Sequence, residues 1–540
     1  MKRFQGFIIA MAVLLIPSQA LAILKAELDT VVVSANRIEQ DSYKVAGNVT
    51  VITREQIENS NAQSIPEILK EAQGVFVYDN NTLKSTTVDI RGFGDTATRN
   101  VLVLVNDRRV NLVSLSGPDL VQVPLEAVER IEIIRGAGSV LYGDNAVGGV
   151  INIITKKGAG DIKGKIGGLY GSYDTQGGNF EVSGEEKGFS YYLYSKYLDK
   201  RGYRQNSDEL LKDHNARIGY QFNDNIAMDI EVGMHEDSID LPGGLDQNEL
   251  ASLGRRGSAD EGNIITTTDK YYRMTFDVTP WAKEFYLGDF VVAYNYRERD
   301  TFDSFGAFSF NTDRMLVSQG IQGKYIFDHT IFDKEVNFVT GVDYYEHDNG
   351  IIGSGSNSDD LTISKDEIGY YTFLQFELIN DLFVNGGTRY YKAHYTFDQR
   401  NIANFEEQKP DEWVSMGGLK YEYAKGSNIH FNYQQTFRFL ATDEWYSSFS
   451  GLNTDIEQQT GEQFEVGVKH NYRDKAVFNV TPYFIRNKNE IYFNPTGGSF
   501  GFGANENYDE TERLGVELGA RLDLLEFVDL DFLDKLEFAA

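Results

Sequence analysis

Few residues in this chain have the type and spacing to do chemistry on a substrate. There is no cysteine, so thiolate nucleophiles, disulfides and cysteine-bound metals are excluded. The seven histidines, His214, His235, His329, His347, His394, His430 and His470, are scattered with no close pair. A lone histidine in such a setting is expected to be solvated, so no metal site is assigned. The acidic pairs Glu236-Asp237 and Asp359-Asp360 lack calcium-loop spacing and read as charged loops. Arg91-Gly92-Phe93-Gly94 lacks the third glycine and the lysine of a phosphate loop. No nucleophile-and-base pair can be named, so no catalytic residue, no enzymatic activity and no cofactor are expected. What remains is charge in suggestive places: Arg91 and Arg135 each head an Arg-Gly turn, while Glu465 and Glu517 sit in alternating stretches.

The elements that must position these charges are strands. From about Asp161 to the end, apolar and polar residues alternate. Tyr272, Met274, Phe276 and Val278 alternate with Tyr271, Arg273, Thr275 and Asp277, and Phe464, Val466 and Val468 with Gln463, Glu465 and Lys469. Leu514, Val516 and Leu518 alternate with Arg513 and Glu517. Charge on one face and aliphatics on the other fit a barrel with lipid outside and a wet lumen inside, and parity turns Glu465 and Glu517 to the lumen. A mean hydropathy of −0.38 suits such a barrel, because only alternate residues meet lipid. Nine prolines leave long ladders undisturbed. Sixteen full strands can be counted from Lys163 to the stretch around Glu517, and a seventeenth opens at Asp534-Lys535-Leu536-Glu537-Phe538. A basic start, the apolar run Phe7 to Ile16 and Ala20-Leu21-Ala22 read as a signal peptide over residues 1–22. A net charge of −30 repels phosphate backbones, so no nucleic acid partner is expected.

Residues 124–157, PLEAVERIEIIRGAGSVLYGDNAVGGVINIITKK, combine an alternating strand, two glycine-rich turns and an apolar strand. This stretch resembles, almost position by position, the closing segment of the plug domain of TonB-dependent outer-membrane receptors. It departs at Ala137, where proline is usual. Upstream, Val49–Ile52, Gly74–Val77, Val88–Ile90 and Val101–Val105 read as strands. Thr53-x-x-Gln56 and Ser64-Ile65-Pro66-Glu67 start short helices, and Asn106-Asp107 stands where Asp-Gly is usual.

The resemblance implies an all-β transmembrane antiparallel barrel with a small N-terminal α/β plug in its lumen. It divides the chain into a signal peptide (1–22), a periplasmic segment (23–43), a plug (44–157) and a barrel (161–540). The family's barrels have twenty-two strands, so about 16–17 make this one incomplete, as if truncated at its carboxy terminus. Asp29, Thr30, Val31, Val32, Val33, Ser34 and Ala35 look like the TonB box, an extended, unpaired strand offered to a partner's sheet edge. The family's plug–barrel lock maps onto Arg91, Arg135, Glu465 and Glu517. Because the plug must detach, that boundary is expected to be wet, each ion pair contributing ~0–1 kcal/mol. Outward-facing plug loops are expected to present Tyr78, Asp79, Asn80, Thr98 and Arg99 to a ligand. The implied protein is a monomeric receptor in the outer membrane of a Gram-negative bacterium, embedded in outer-membrane lipid. Its partners are TonB, energised by ExbB-ExbD, and a metal chelate: a ferric siderophore first, with cobalamin as the alternative. An ungated, porin-like structural barrel is the rival reading from another class.

Overall fold

The alternation in the sequence becomes one long antiparallel meander. In the computed structural model, residues 32–33, 36–38, 40–41, 44–78, 84, 86–260, 262–282, 285–306, 310–355, 359–447, 451–473, 475–498, 503–524 and 537–539 are described. The large sheet has 18 segments, paired in chain order from Lys163–Gly171 to Glu537–Ala539. Its longest strands, Phe310–Ile331 and Lys334–Gly355, have 22 residues each. The strand count expected from sequence differs from 18 for one reason. Asn404–Gln408 and Asp411–Ala424 both pair with Leu382–Gln399, and the break between them holds Pro410, which has no N–H to give a ladder.

Parity holds along the wall. Tyr272 is 50% exposed, whereas Arg273 is buried. Leu514, Val516 and Leu518 face outward at 73%, 59% and 59%, with Glu517 buried between them. Outward apolar and inward charged residues are what lipid on one side and a polar interior on the other require. Among the described residues no helix is long and apolar enough to cross a membrane.

Inside the wall lies a second, smaller domain. Its five-stranded sheet has the order Val49–Thr53, Val128–Arg135, Gly149–Thr155, Val101–Val105, Arg108–Arg109. Val101–Val105 and Gly149–Thr155 pair in parallel. The two central strands supply Ile131, Ile133, Ile151 and Ile153, all fully buried, each worth about 1.5–3 kcal/mol when removed from water. Helix Arg54–Asn59 starts with the reciprocal Thr53–Gln56 capping box, and helix Ile65–Lys70 buries Ile65, Ile68 and Leu69 against the sheet. Asn106 and Asp107 both have positive φ, 50° and 65°, as a tight two-residue hairpin requires. Wall strands touch this domain on opposite sides: Arg217 reaches the Thr155 carbonyl at 3.3 Å and Glu517 accepts from Asn48 at 2.7 Å.

Candidate functional site

The turn after strand Thr87–Ile90 puts Arg91 in the left-handed region, with φ 66°, followed by Gly92 at 75°. That reversal throws the guanidinium out of the plug and into the wall. Arg91 Nη2 lies 2.9 Å from Glu465 Oε2, and Nε lies 2.9 Å from Glu517 Oε1. The Tyr483 ring covers the guanidinium at 4.4 Å. Gly136, from the second Arg-Gly turn, makes room: a Cβ there would sit 2.6 Å from Arg91 Nη1, on a backbone with φ +95°. Asn432 donates to Glu465 Oε1 at 2.9 Å and Asn48 to Glu517 Oε2 at 2.7 Å. Burial alone would lower the Arg91 pKa, but the two carboxylates outweigh it and hold it above its ordinary value.

This boundary is dry, contrary to the wet contact expected from sequence. Arg91, Glu465 and Glu517 are 4%, 3% and 9% exposed. Asn432 and Asn48 each add one amide bond to a carboxylate.

Arg135 does not join the ion pair, which corrects its assignment to the lock. It ends the regular strand Val128–Arg135 and shares the parity of Ile131 and Ile133, so its side chain folds back onto the plug. Its Nη1 donates to Thr50 Oγ1 at 2.7 Å, and its Nε donates to the Gln73 carbonyl at 3.1 Å. Burial lowers its pKa to about 10, opposed by the field of Glu517. Asn48 alone mediates between them, accepting from Arg135 at 3.5 Å while donating to Glu517.

Of the expected TonB box, Val32–Val33 form a two-residue strand paired with Gln40–Asp41. The box is therefore not unpaired there. Asp29, Thr30, Val31, Ser34 and Ala35 lie outside the described residues, as does the expected signal peptide. Just beyond the box the structure adds a contact that sequence reasoning missed. Arg37 binds both oxygens of Asp343, at 3.1 and 3.2 Å, and the Tyr371 hydroxyl at 2.8 Å. Arg389 approaches the same Asp343 at 2.7 Å. Lys44, further along, reaches Glu335 at 3.1 Å.

At the outer end, Tyr78 is 53% exposed. Asp79 and Asn80 lie outside the described residues. Thr98 lines a cavity of about 320 Å3 together with Lys84, Thr86, Ser114, Arg299 and Arg314. Arg99 does not face outward, a second correction. It is buried and donates to the carbonyls of Leu112 at 2.8 Å and Ser116 at 3.1 Å. Burial without a paired carboxylate lowers its pKa to about 10.

His235 also departs from expectation. It is buried rather than solvated, with Nδ1 2.6 Å from Asp213 and Nε2 2.9 Å from Asp237. Asp237 is an inward strand residue held by Lys84 at 2.5 Å, not part of a charged loop. Asp119, His235 and Asp237 have ligand atoms within 4.8 Å of one another, but Arg299 holds Asp119 at 2.7 Å. Both ring nitrogens are already engaged by carboxylates, and Asp237 and Asp119 by Lys84 and Arg299, so the cluster reads as an ion-pair network.

The fold has known counterparts. The family model TonB-dependent Receptor Plug Domain matches residues 41–150, and TonB dependent receptor-like, beta-barrel matches residues 159–538. Vitamin B12 transporter BtuB of Photobacterium profundum is 39% identical over 172 residues, 31% of this chain and 28% of that protein. BtuB of Vibrio cholerae serotype O1 (strain ATCC 39315 / El Tor Inaba N16961) is 42% identical over 150 residues, 27% of this chain and 24% of that protein. The matched stretches thus span about a quarter of the length of these relatives. Among solved structures, unliganded ferric citrate transporter FecA is similar with a TM-score of 0.79 at 18% identity, covering 95% of this chain and 81% of that one. Ferric yersiniabactin uptake receptor FyuA from Yersinia pestis gives 0.72 at 14%, covering 92% and 79%. At such identities these structures speak for the fold alone.

Proposed function

The chain belongs to the TonB-dependent receptor family of the Gram-negative outer membrane, and from that premise we propose that it imports a cobalamin under the pull of TonB. The observation that carries the ligand is the 39–42% identity to vitamin B12 transporters. The likeness to ferric-chelate receptors is one of fold, so a ferric siderophore stands second. We assign the chain no enzymatic activity, a monomeric state and the division into periplasmic segment (23–43), plug (44–157) and barrel (161–540).

The mechanism follows from where force would enter. Nanomolar capture corresponds to about −12 kcal/mol to be reversed on release, which calls for work from TonB and its ExbB-ExbD motor. A pull on Asp29–Ala35 meets the Arg37–Asp343 contact first and Lys44–Glu335 next. It then reaches Val49–Thr53, an edge strand of the plug sheet with one neighbour. Edge strands peel one hydrogen-bonded pair at a time, so the load per step stays small. Peeling this strand withdraws Asn48 from Glu517 and Thr50 from Arg135, which strips support from the Arg91 anchor. Tyr78 and Thr98 are the plug residues we place against the ligand from below, beside the outer cavity.

The test is uptake of labelled cyanocobalamin by a Gram-negative host that lacks its own cobalamin receptor and expresses the full chain. TonB-dependent accumulation is expected. Accumulation of a ferric siderophore in its place would overturn the cobalamin assignment, and leakage of both without TonB would favour the ungated barrel.

A further inference from the structure

Three cavities between plug and wall form a continuous line. The outer one, about 320 Å3, shares Leu112 and Leu316 with a middle one of about 60 Å3. The middle one shares Arg109 and Tyr345 with an inner one of about 30 Å3, which ends at Arg37 and Lys324. The wall confirms the order. Along strand Asp289–Phe305 every second residue from Asp303 to Val291 lines one of the three, in sequence. The same is true along Phe310–Ile331 from Arg314 to Lys324. At ~3.3 Å per residue this stripe is ~40 Å long.

The lining is richer in bases than in acids, although Arg297, Arg299, Arg314, Arg37 and Lys84 are paired with carboxylates behind it, Asp269, Asp443, Asp343 and Asp237. The chain carries −30 overall, yet basic residues outnumber carboxylates three to two in the outer cavity, five to two in the middle and four to one in the inner. In the middle cavity the plug's own arginines lack acidic partners. Arg99 and Arg108 are 4% and 5% exposed, and Arg99 Nε and Arg108 Nε and Nη1 meet no hydrogen-bond acceptor. Arg108 rests on the Tyr271 ring at 3.9 Å, and Arg109 donates to the carbonyls of Tyr142 at 2.5 Å and Asp144 at 3.3 Å. A buried guanidinium without an anion forfeits its strongest available bonds. An anion entering the seam would supply them.

We propose that this seam, floored by Arg99, Arg108 and Arg109, is the route by which cargo crosses the barrel, and that it recognises an anionic oxygen group on that cargo. The assignment rests on the receptor reading above and adds the path and the chemistry. A phosphodiester on a corrinoid and the carboxylates of a ferric chelate share the required chemistry.

The experiment uses the full chain in the outer membrane of the same host. In Arg108→Gln/Arg109→Gln, surface binding of cyanocobalamin should persist while uptake falls roughly tenfold or more, the loss expected from two charge-assisted hydrogen bonds. Uptake of dicyanocobinamide, which lacks the phosphodiester, should be unaffected, and Arg108→Lys/Arg109→Lys should restore cyanocobalamin transport. A fall in ferric citrate uptake instead would identify carboxylate as the recognised group. Unchanged uptake of both, or a lysine variant as defective as the glutamine one, overturns the seam. If the wild type imports neither, the receptor reading fails by itself. The seam is then judged on purified full chain by hydrogen exchange. Inorganic phosphate should slow exchange over 101–109 relative to chloride in wild type and not in the glutamine variant; equal rates overturn it.

Discussion

Two sides of the plug meet the wall in opposite ways. At Arg91 one cation faces two carboxylates, every group is buried, and Asn48 and Asn432 add a bond to each carboxylate, with Arg91 Nη1 left without an acceptor. Across the plug, Arg99, Arg108 and Arg109 face cavities and carbonyls with no carboxylate in contact. The first cluster is matched and buried; the second is hollow, its three plug arginines unmatched although Arg299–Asp119 and Lys365–Asp144 cross the boundary beside them. The plug is therefore fastened on more than one side, and the contrast lies between a matched and an unmatched arginine cluster.

The largest expected effect comes from uncoupling both sides from the force. Val32→Pro removes a backbone donor and fixes φ, so the box can no longer add to a partner's sheet. Uptake of labelled cyanocobalamin should drop to background while binding at the cell surface is retained. Undiminished uptake would refute the box.

Next come substitutions that erase the matched side. Arg91→Ala leaves Glu465 and Glu517 buried without their cation, at a cost of about 3–5 kcal/mol. Hydrogen exchange over 128–135 should accelerate accordingly, with the wall strands unaffected. Glu517→Gln keeps the shape and the Glu465 contact, and should cost about 1.5–3 kcal/mol, the worth of a hydrogen bond to a charged group. Gly136→Ala should cost a similar amount, about 1–3 kcal/mol, because it forces a side chain onto a left-handed backbone and against Arg91 Nη1. If Gly136→Ala proved neutral, the close approach of the two Arg-Gly turns would not matter to the anchor.

How far all this could be read from sequence depends on the range of each interaction. Period-two alternation is local, so the wall strands and the inward faces of Glu465 and Glu517 were legible. The Thr53–Gln56 capping box spans three residues and was legible for the same reason. The two Arg-Gly turns look alike as sequence, yet only Arg91 reaches the wall. The distinction was partly visible, since Arg135 continues the parity of Ile131 and Ile133 and so belongs to the plug. Parity gave no hint for Arg91, whose direction is set by a left-handed backbone. Arg99 was misread as an outward turn residue because the carbonyls that receive it come from the chain 13 and 17 residues later. The hollow side was illegible, because an absence of partners emerges only when strands from distant parts of the chain are laid beside the plug.

The smallest effect distinguishes the two sides most directly. Salt screens charges that water reaches and leaves dry pairs nearly untouched; the Debye length falls from about 10 Å at 0.1 M to about 3 Å at 1 M. Around Arg91 the ions are in contact and enclosed, so hydrogen exchange at residues 89–91 should not respond to sodium chloride over that range. Around Arg99, Arg108 and Arg109 basic residues outnumber carboxylates in the cavity lining, so net repulsion among like charges is the expected electrostatic effect. Screening relieves repulsion, so the sign is opposite to that of a surface ion pair. Added salt should slow exchange at Val101–Val105 and Arg108–Arg109 by a factor of a few, corresponding to about 0.5–1 kcal/mol. Faster exchange there would mean that attraction, not repulsion, governs the hollow side, and that its arginines have partners after all. A salt response at Arg91 equal to that at Arg108 would remove the contrast between the two arginine clusters.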